Sequence, residues 1–123
     1  MVEKIKNFYE LEAWKKGHNL AIDVYGISKN FPKEEIYGIT SQIRRAASSV
    51  TANIAEGFER YHFNDKARFY YQARGSVGEV QNFLLLTKDL GLVDELVYNT
   101  LTKQVDEVRK LINGLINSIA KQK

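Results

Sequence analysis

The chain has 123 residues, 44% of them hydrophobic and 27% charged, with a net charge of +3, a globular composition that excludes a disordered polymer. It contains no cysteine, which excludes disulfides, thiolate catalysis and sulfur-based zinc sites, so stability rests on packing. The length suits one domain spanning residues 1–123. No apolar run approaches the about 20 residues that cross a bilayer, and the start, MVEKIKNFYE, is too charged for a secretory leader, so the cytoplasm is the expected location.

The elements in chain order are all helical, and no strand pattern competes with them. Asn7 followed by Glu10 matches a capping box, in which cap and third residue satisfy each other's backbone donors. Beyond it, Leu11, Trp14, His18, Ala21, Tyr25 and Ser28 step by three and four along one predicted helix face. That helix should stop near Asn30, because Phe31 precedes Pro32 and is biased away from helical angles.

A second helix is predicted from Glu34 and Glu35, acids suited to a helix amino terminus, with Ile36, Ile39, Ile43, Ala47, Val50, Ile54 and Gly57 inward. Gly38 predicts an irregular first turn before Thr40. The third helix is expected to start at Asn64 as cap, to carry Phe69, Ala73, Ser76, Val80, Leu84 and Thr87 inward, and to end at Gly91. A fourth, from about Asp94 to Ala120, turns Val97, Leu101, Val105, Val108, Ile112, Leu115 and Ile119 to the core, and the terminal KQK should fray. Short connections predict an all-α, antiparallel up-down-up-down four-helix bundle.

Two faces predict self-association. The stretch Ala46–Ala55 carries no charge, and its side opposite Ile43 presents Ser48, Ser49, Ala52, Asn53 and Ala55, small enough for another backbone to approach. Phe83, Leu84, Leu85 and Leu86 cover more of the third helix than one bundle core can bury. The alternative is a monomer that buries its second helix at the centre.

Motifs for chemistry are weak. Glu59-Arg60-Tyr61-His62 spells one Glu-x-x-His half-site where a carboxylate-bridged di-metal bundle needs two, so no metal and no cofactor are expected. His18 reads as a packed core imidazole and His62 as a loop residue. Ser48, Ser49 and Ser76 have no general base, so no catalytic residue is assigned and the chain is expected not to be an enzyme. Gly75 and Gly78, in mid-helix, suggest a close helix crossing that offsets about 1 kcal/mol of lost propensity each. Arg45, Ser49, Asn53, Glu56 and Arg60 form a polar stripe. With Arg74, Ser76 or Glu79 it becomes a buried network if a subunit covers it, and otherwise a solvated face. Around the second connection Arg60, Tyr61, His62, Phe63, Lys66, Arg68, Tyr70, Tyr71 and Arg74 interleave cations with aromatics, the composition that holds single-stranded nucleic acid.

The combination Phe31-Pro32, Glu35, Tyr37-Gly38-Ile39-Thr40, Gln42 to Ala47, Ser49, Asn53-Ile54-Ala55-Glu56-Gly57 and Arg60, continued by Arg74-Gly75-Ser76 and Glu79, resembles the bacterial four-helix bundle protein family. This is also known as the S23, or 23S rRNA intervening-sequence, protein family. The sequence departs from its pattern at Thr51-Ala52 and at Asn64, where a serine often caps the third helix. The resemblance covers nearly the whole chain and implies a pentameric barrel of up-down bundles. It extends to the similar accessory variability protein of diversity-generating retroelements, which binds nucleic acid and a reverse transcriptase through a basic surface. It thereby implies a nucleic-acid-associated, RNA or DNA, accessory role, with Arg44, Arg45, Arg60, Lys66, Arg68 and Arg74 as candidate phosphate contacts. The alternative is a protein-interaction scaffold that binds no nucleic acid.

Overall fold

The computed structural model describes residues 4–122; the expectations about the amino-terminal leader and the fraying carboxyl end fall partly on Met1–Glu3 and Lys123, outside the described residues. Four α-helices pack around one hydrophobic core: α1 (Glu12–Ser28), α2 (Ser41–Glu59), α3 (Phe63–Asp89) and α4 (Glu95–Ala120). No strand occurs among the described residues. Each helix packs on the next, and α1 also packs on α4, which closes the ring. Leu20, Ile43, Ile54, Leu84 and Ile112, one or two from each helix, are fully buried. Each such side chain is worth about 1.5–3 kcal/mol of transfer free energy.

The first helix is turned about its axis relative to its predicted stripe. Its buried residues are Ala13, Gly17, Leu20, Val24 and Ser28, whereas His18 and Tyr25 are exposed. Ser28 belongs to both stripes and Leu11, Trp14 and Ala21 pack half-buried against the core, so the inner face is rotated by one position, about 100° of helix. The closest approach of α1 to α2 is at Gly17, where a Cβ would stand 3.1 Å from Thr51 Cγ2, and Leu20 and Val24 fill the core beyond it. The bulky rings sit at the rim instead. His18 is therefore no core imidazole, and its ring stacks on Trp14 at a centroid distance of 4.6 Å. Nor does the predicted capping box start α1. Glu10 accepts from the Asn7 backbone N–H at 2.7 Å, but it closes only a 3-10 turn, Phe8–Glu10, before α1 begins at Glu12.

Between α1 and α2 the chain makes a 3-10 turn (Lys33–Glu35) and a wide turn (Ile36–Thr40) with non-helical angles at Gly38, so the predicted irregular start is present. That change of phase leaves Ile36 exposed, contrary to its place on the predicted stripe, while Phe31 and Ile39 are buried. The cap of α3 is His62 rather than Asn64, which lies inside the first turn. Tyr70 and Val77 enter the core, and Phe69 stays half-buried.

Both ends of the third connection match the sequence pattern. Gly91 has φ of 77°, and the Leu92 N–H donates to Thr87 O at 2.8 Å, the bond that terminates a helix through a left-handed residue. Asp94 then caps α4, accepting from the Val97 N–H at 2.8 Å.

Candidate nucleic-acid interface

The six candidate cations do not form one patch. Arg44 and Arg45 sit in the first turn of α2, and Arg60 just beyond its last. At about 1.5 Å per residue the two groups stand about 24 Å apart along the axis.

At the α2–α3 junction the backbone reverses through residues 60–62, which brings the start of α3 back against the end of α2. Gly57 permits this: a Cβ there would fall 2.6 Å from Tyr70 Cε1 and 3.2 Å from Phe69 Cβ. Phe69 is held between two guanidinium groups, with Arg60 at 4.7 Å and Arg68 at 4.8 Å from its ring centre. Arg60 also pairs with Glu56 one turn back. Arg74 lies 4.8 Å over the Tyr71 ring and donates to Asn113 Oδ1 at 3.0 Å. At the turn itself Tyr61 is 90% exposed, with the His62 ring edge-on to it. Burial pushes the Tyr70 phenol up to about 12, which keeps it neutral inside the core.

Lys66 does something else. Its Nζ donates to Phe58 O at 2.8 Å and to Gly57 O at 3.3 Å in the last turn of α2, where Gly57 O also accepts the Arg60 N–H. Burial lowers its pKa, and Glu59 opposes the shift. The ammonium thus closes a helix end, and that use competes with phosphate contact.

The polar network forms in part. Ser76 Oγ donates to Ser49 Oγ at 3.0 Å, and Asn53 Nδ2 donates to both Ser49 O at 2.9 Å and Ser49 Oγ at 3.0 Å. The Ser76–Ser49 bond ties α3 to α2, and the Asn53 bonds, both within α2, hold the Ser49 hydroxyl in place. Arg45 and Glu79 flank them around a cavity of about 280 Å³. Glu56 and Arg60 form their own pair further along α2. Gly75 and Gly78 meet no neighbour among the described residues, since a Cβ on either would have nothing within 4 Å, so the helix crossing expected there is not made among them.

Around Arg44 and Arg45 the turns of residues 33–40 leave an open cleft of about 820 Å³ against the end of α1. Lys29, Lys33, Tyr25 and Tyr37 line it with the two arginines. Sequence reasoning missed this grouping, for which the only local signal is the pair of lysines flanking Phe31-Pro32. No cluster of three or more metal-ligating side chains occurs among the described residues, and no helix there is long and apolar enough to cross a membrane.

The family model of the 23S rRNA-intervening sequence protein matches residues 9–114. A crystal structure of a protein of unknown function from the S23 ribosomal protein family of Bacteroides thetaiotaomicron superposes with a TM-score of 0.78. It is 20% identical, over 85% of this chain and 97% of that one, a likeness of fold. No curated protein matches the chain.

Proposed function

The chain belongs to the 23S rRNA-intervening sequence protein family, and we propose that it acts without catalysis, as a homo-oligomer of antiparallel up-down-up-down bundles that associates with RNA in the cytoplasm. The observation that carries RNA association is the stretch from the α2–α3 junction along α3, where Arg60, Arg68 and, further along the helix, Arg74 lie over aromatic rings and Tyr61 is exposed at the turn. Single strands are held in this way, with bases stacked on rings and phosphates neutralised by guanidinium groups. Of the six cations, Arg60, Arg68 and Arg74 are the phosphate contacts along this stretch, because Lys66 is committed to backbone carbonyls. Antiparallel order is supported by the short connections at residues 60–62 and 90–94 and by contact between successive helices.

Oligomerisation is supported by two uncharged outer faces. Ser48 and Ala52 on α2 are exposed in the single chain, as are Tyr71, Gly75, Gly78, Asn82 and Leu85 on α3. Two mid-helix glycines cost about 1 kcal/mol each with no offsetting contact among the described residues, and close packing of a second copy supplies one. A five-membered ring is the assembly that the resemblance implies.

Fluorescence anisotropy with single-stranded RNA across a salt series tests the reading. Affinity should fall steeply with salt, and Arg68→Glu with Arg74→Glu should weaken binding at least tenfold. Absence of affinity at low salt would reject RNA association. It would leave the protein scaffold, which the exposed Leu85, Leu86, Leu90 and Leu96 near the α3–α4 turn favour.

A further inference from the structure

The cleft at the start of α2 concentrates charge that the chain as a whole does not have. Lys29, Lys33, Arg44 and Arg45 line it with no carboxylate among the lining residues, so it gathers four positive charges in a chain whose net charge is +3. Clustered like charges repel one another unless an anion joins them. Arg44 is also fixed in place. Its Nε donates to Ser28 Oγ at 2.7 Å, Ser28 Oγ donates to Tyr25 O at 3.2 Å, and the guanidinium lies 4.7 Å over the Tyr25 ring. The terminal amino groups of Arg44 are the donors that remain for a ligand.

The other half of the cleft is aromatic and apolar. Tyr37 is 97% exposed at its lip, next to the exposed Ile36. Thr40, also a lining residue, is buried, and its hydroxyl has no hydrogen-bond partner among the described residues. An 820 Å³ cleft lies within the roughly 300–1,000 Å³ range of small-molecule sites. A bare anion would use the cations and leave Tyr37 idle; a lone aromatic ring would do the reverse.

We propose that this cleft binds a nucleotide, with its phosphate on Arg44, Arg45, Lys29 and Lys33 and its base on the Tyr37 ring. The nucleotide is either free or the 5′-phosphorylated end of a strand; both present the same chemistry. The site is separate from the α2–α3 junction and does not depend on RNA association there.

Isothermal titration of the full chain in its native assembly tests this, with AMP, adenosine, inorganic phosphate and hexa-adenylate with and without a 5′-phosphate as probes. AMP, the 5′-phosphorylated strand or both should bind at least tenfold more tightly than adenosine or phosphate alone. Binding of AMP alone identifies the free nucleotide, and binding of the phosphorylated strand alone identifies the strand end. Tyr37→Ala should weaken binding at least fivefold through lost stacking, and Lys33→Ala with Arg45→Ala should weaken it and flatten its salt dependence. Arg68→Glu should leave it unchanged, which separates this site from the junction. Melting temperatures close to wild type check that the variants fold. No binding by any probe, phosphate binding as tightly as AMP, or affinities unaltered in folded Tyr37→Ala and Lys33→Ala/Arg45→Ala proteins would each overturn the proposal.

Discussion

Gly57 closes the Asn-Ile-Ala-Glu-Gly run, and its role is steric. A methyl there would overlap the Tyr70 ring at 2.6 and 2.8 Å, and that ring is 3% exposed and has no room to retreat. Alanine would gain up to about 1 kcal/mol of helix propensity and lose about 1–3 kcal/mol to overpacking. Gly57→Ala is therefore expected to destabilise the protein by about 1–2 kcal/mol, which thermal or urea unfolding will read; a stabilised variant would contradict the packing argument. The sequence placed Gly57 on the inner stripe correctly. It did not show that Tyr70, rather than Phe69, is the ring pressed against it, because both lie within the angular spread of one helix face.

At the scale of the element, the two ends of the α3–α4 connection were legible where the caps of α1 and α3 were not. Gly91 at the end of α3 and Asp94 at the start of α4 stand in the roles their side chains suggest, since a left-handed residue and a capping carboxylate act locally. Gly91→Ala should cost about 1 kcal/mol through its positive φ, and circular dichroism melts compared with wild type will measure the loss. The inner face of α1 was illegible for the opposite reason. Trp14, His18 and Tyr25 follow the helical period as well as Ala13, Gly17 and Val24 do, and only the approach of α2 at Gly17 decides between the two sets. The wide turn of residues 36–40 likewise moved Ile36 outward, although its spacing from Ile39 and Ile43 suits a continuous helix.

For the whole molecule, the charge-free stretch of α2 is divided between two fates. Ala46, Ala47, Val50 and Ile54 are buried within the chain, while Ser48 and Ala52 remain exposed. The exposed half is where a second copy would pack. Ala52→Arg should leave the folded bundle intact, because the side chain points to solvent in a single chain, and should dissociate the assembly. Light scattering coupled to size exclusion will decide, and an unchanged mass would place the interface elsewhere. The candidate interface shows the same division: the sequence identified cations rich in aromatic neighbours, yet Arg44 and Arg45 joined Lys29 and Lys33 at one end of α2, Arg60, Lys66 and Arg68 collected at the other, and Arg74 lies further along α3 against Asn113 of α4.

The sequence by itself determined the helical class, the four helices and their principal breaks, because period, caps and glycine or proline stops act within a few residues of chain. Its motifs also pointed to the family. Only the tertiary structure decided which side of α1 faces inward, that Lys66 closes α2, that Ser49 and Ser76 bond across two helices, and that four cations share a cleft without a carboxylate. Those outcomes depend on the distance between helices and the phase at which the chain enters each one, quantities that no local pattern encodes.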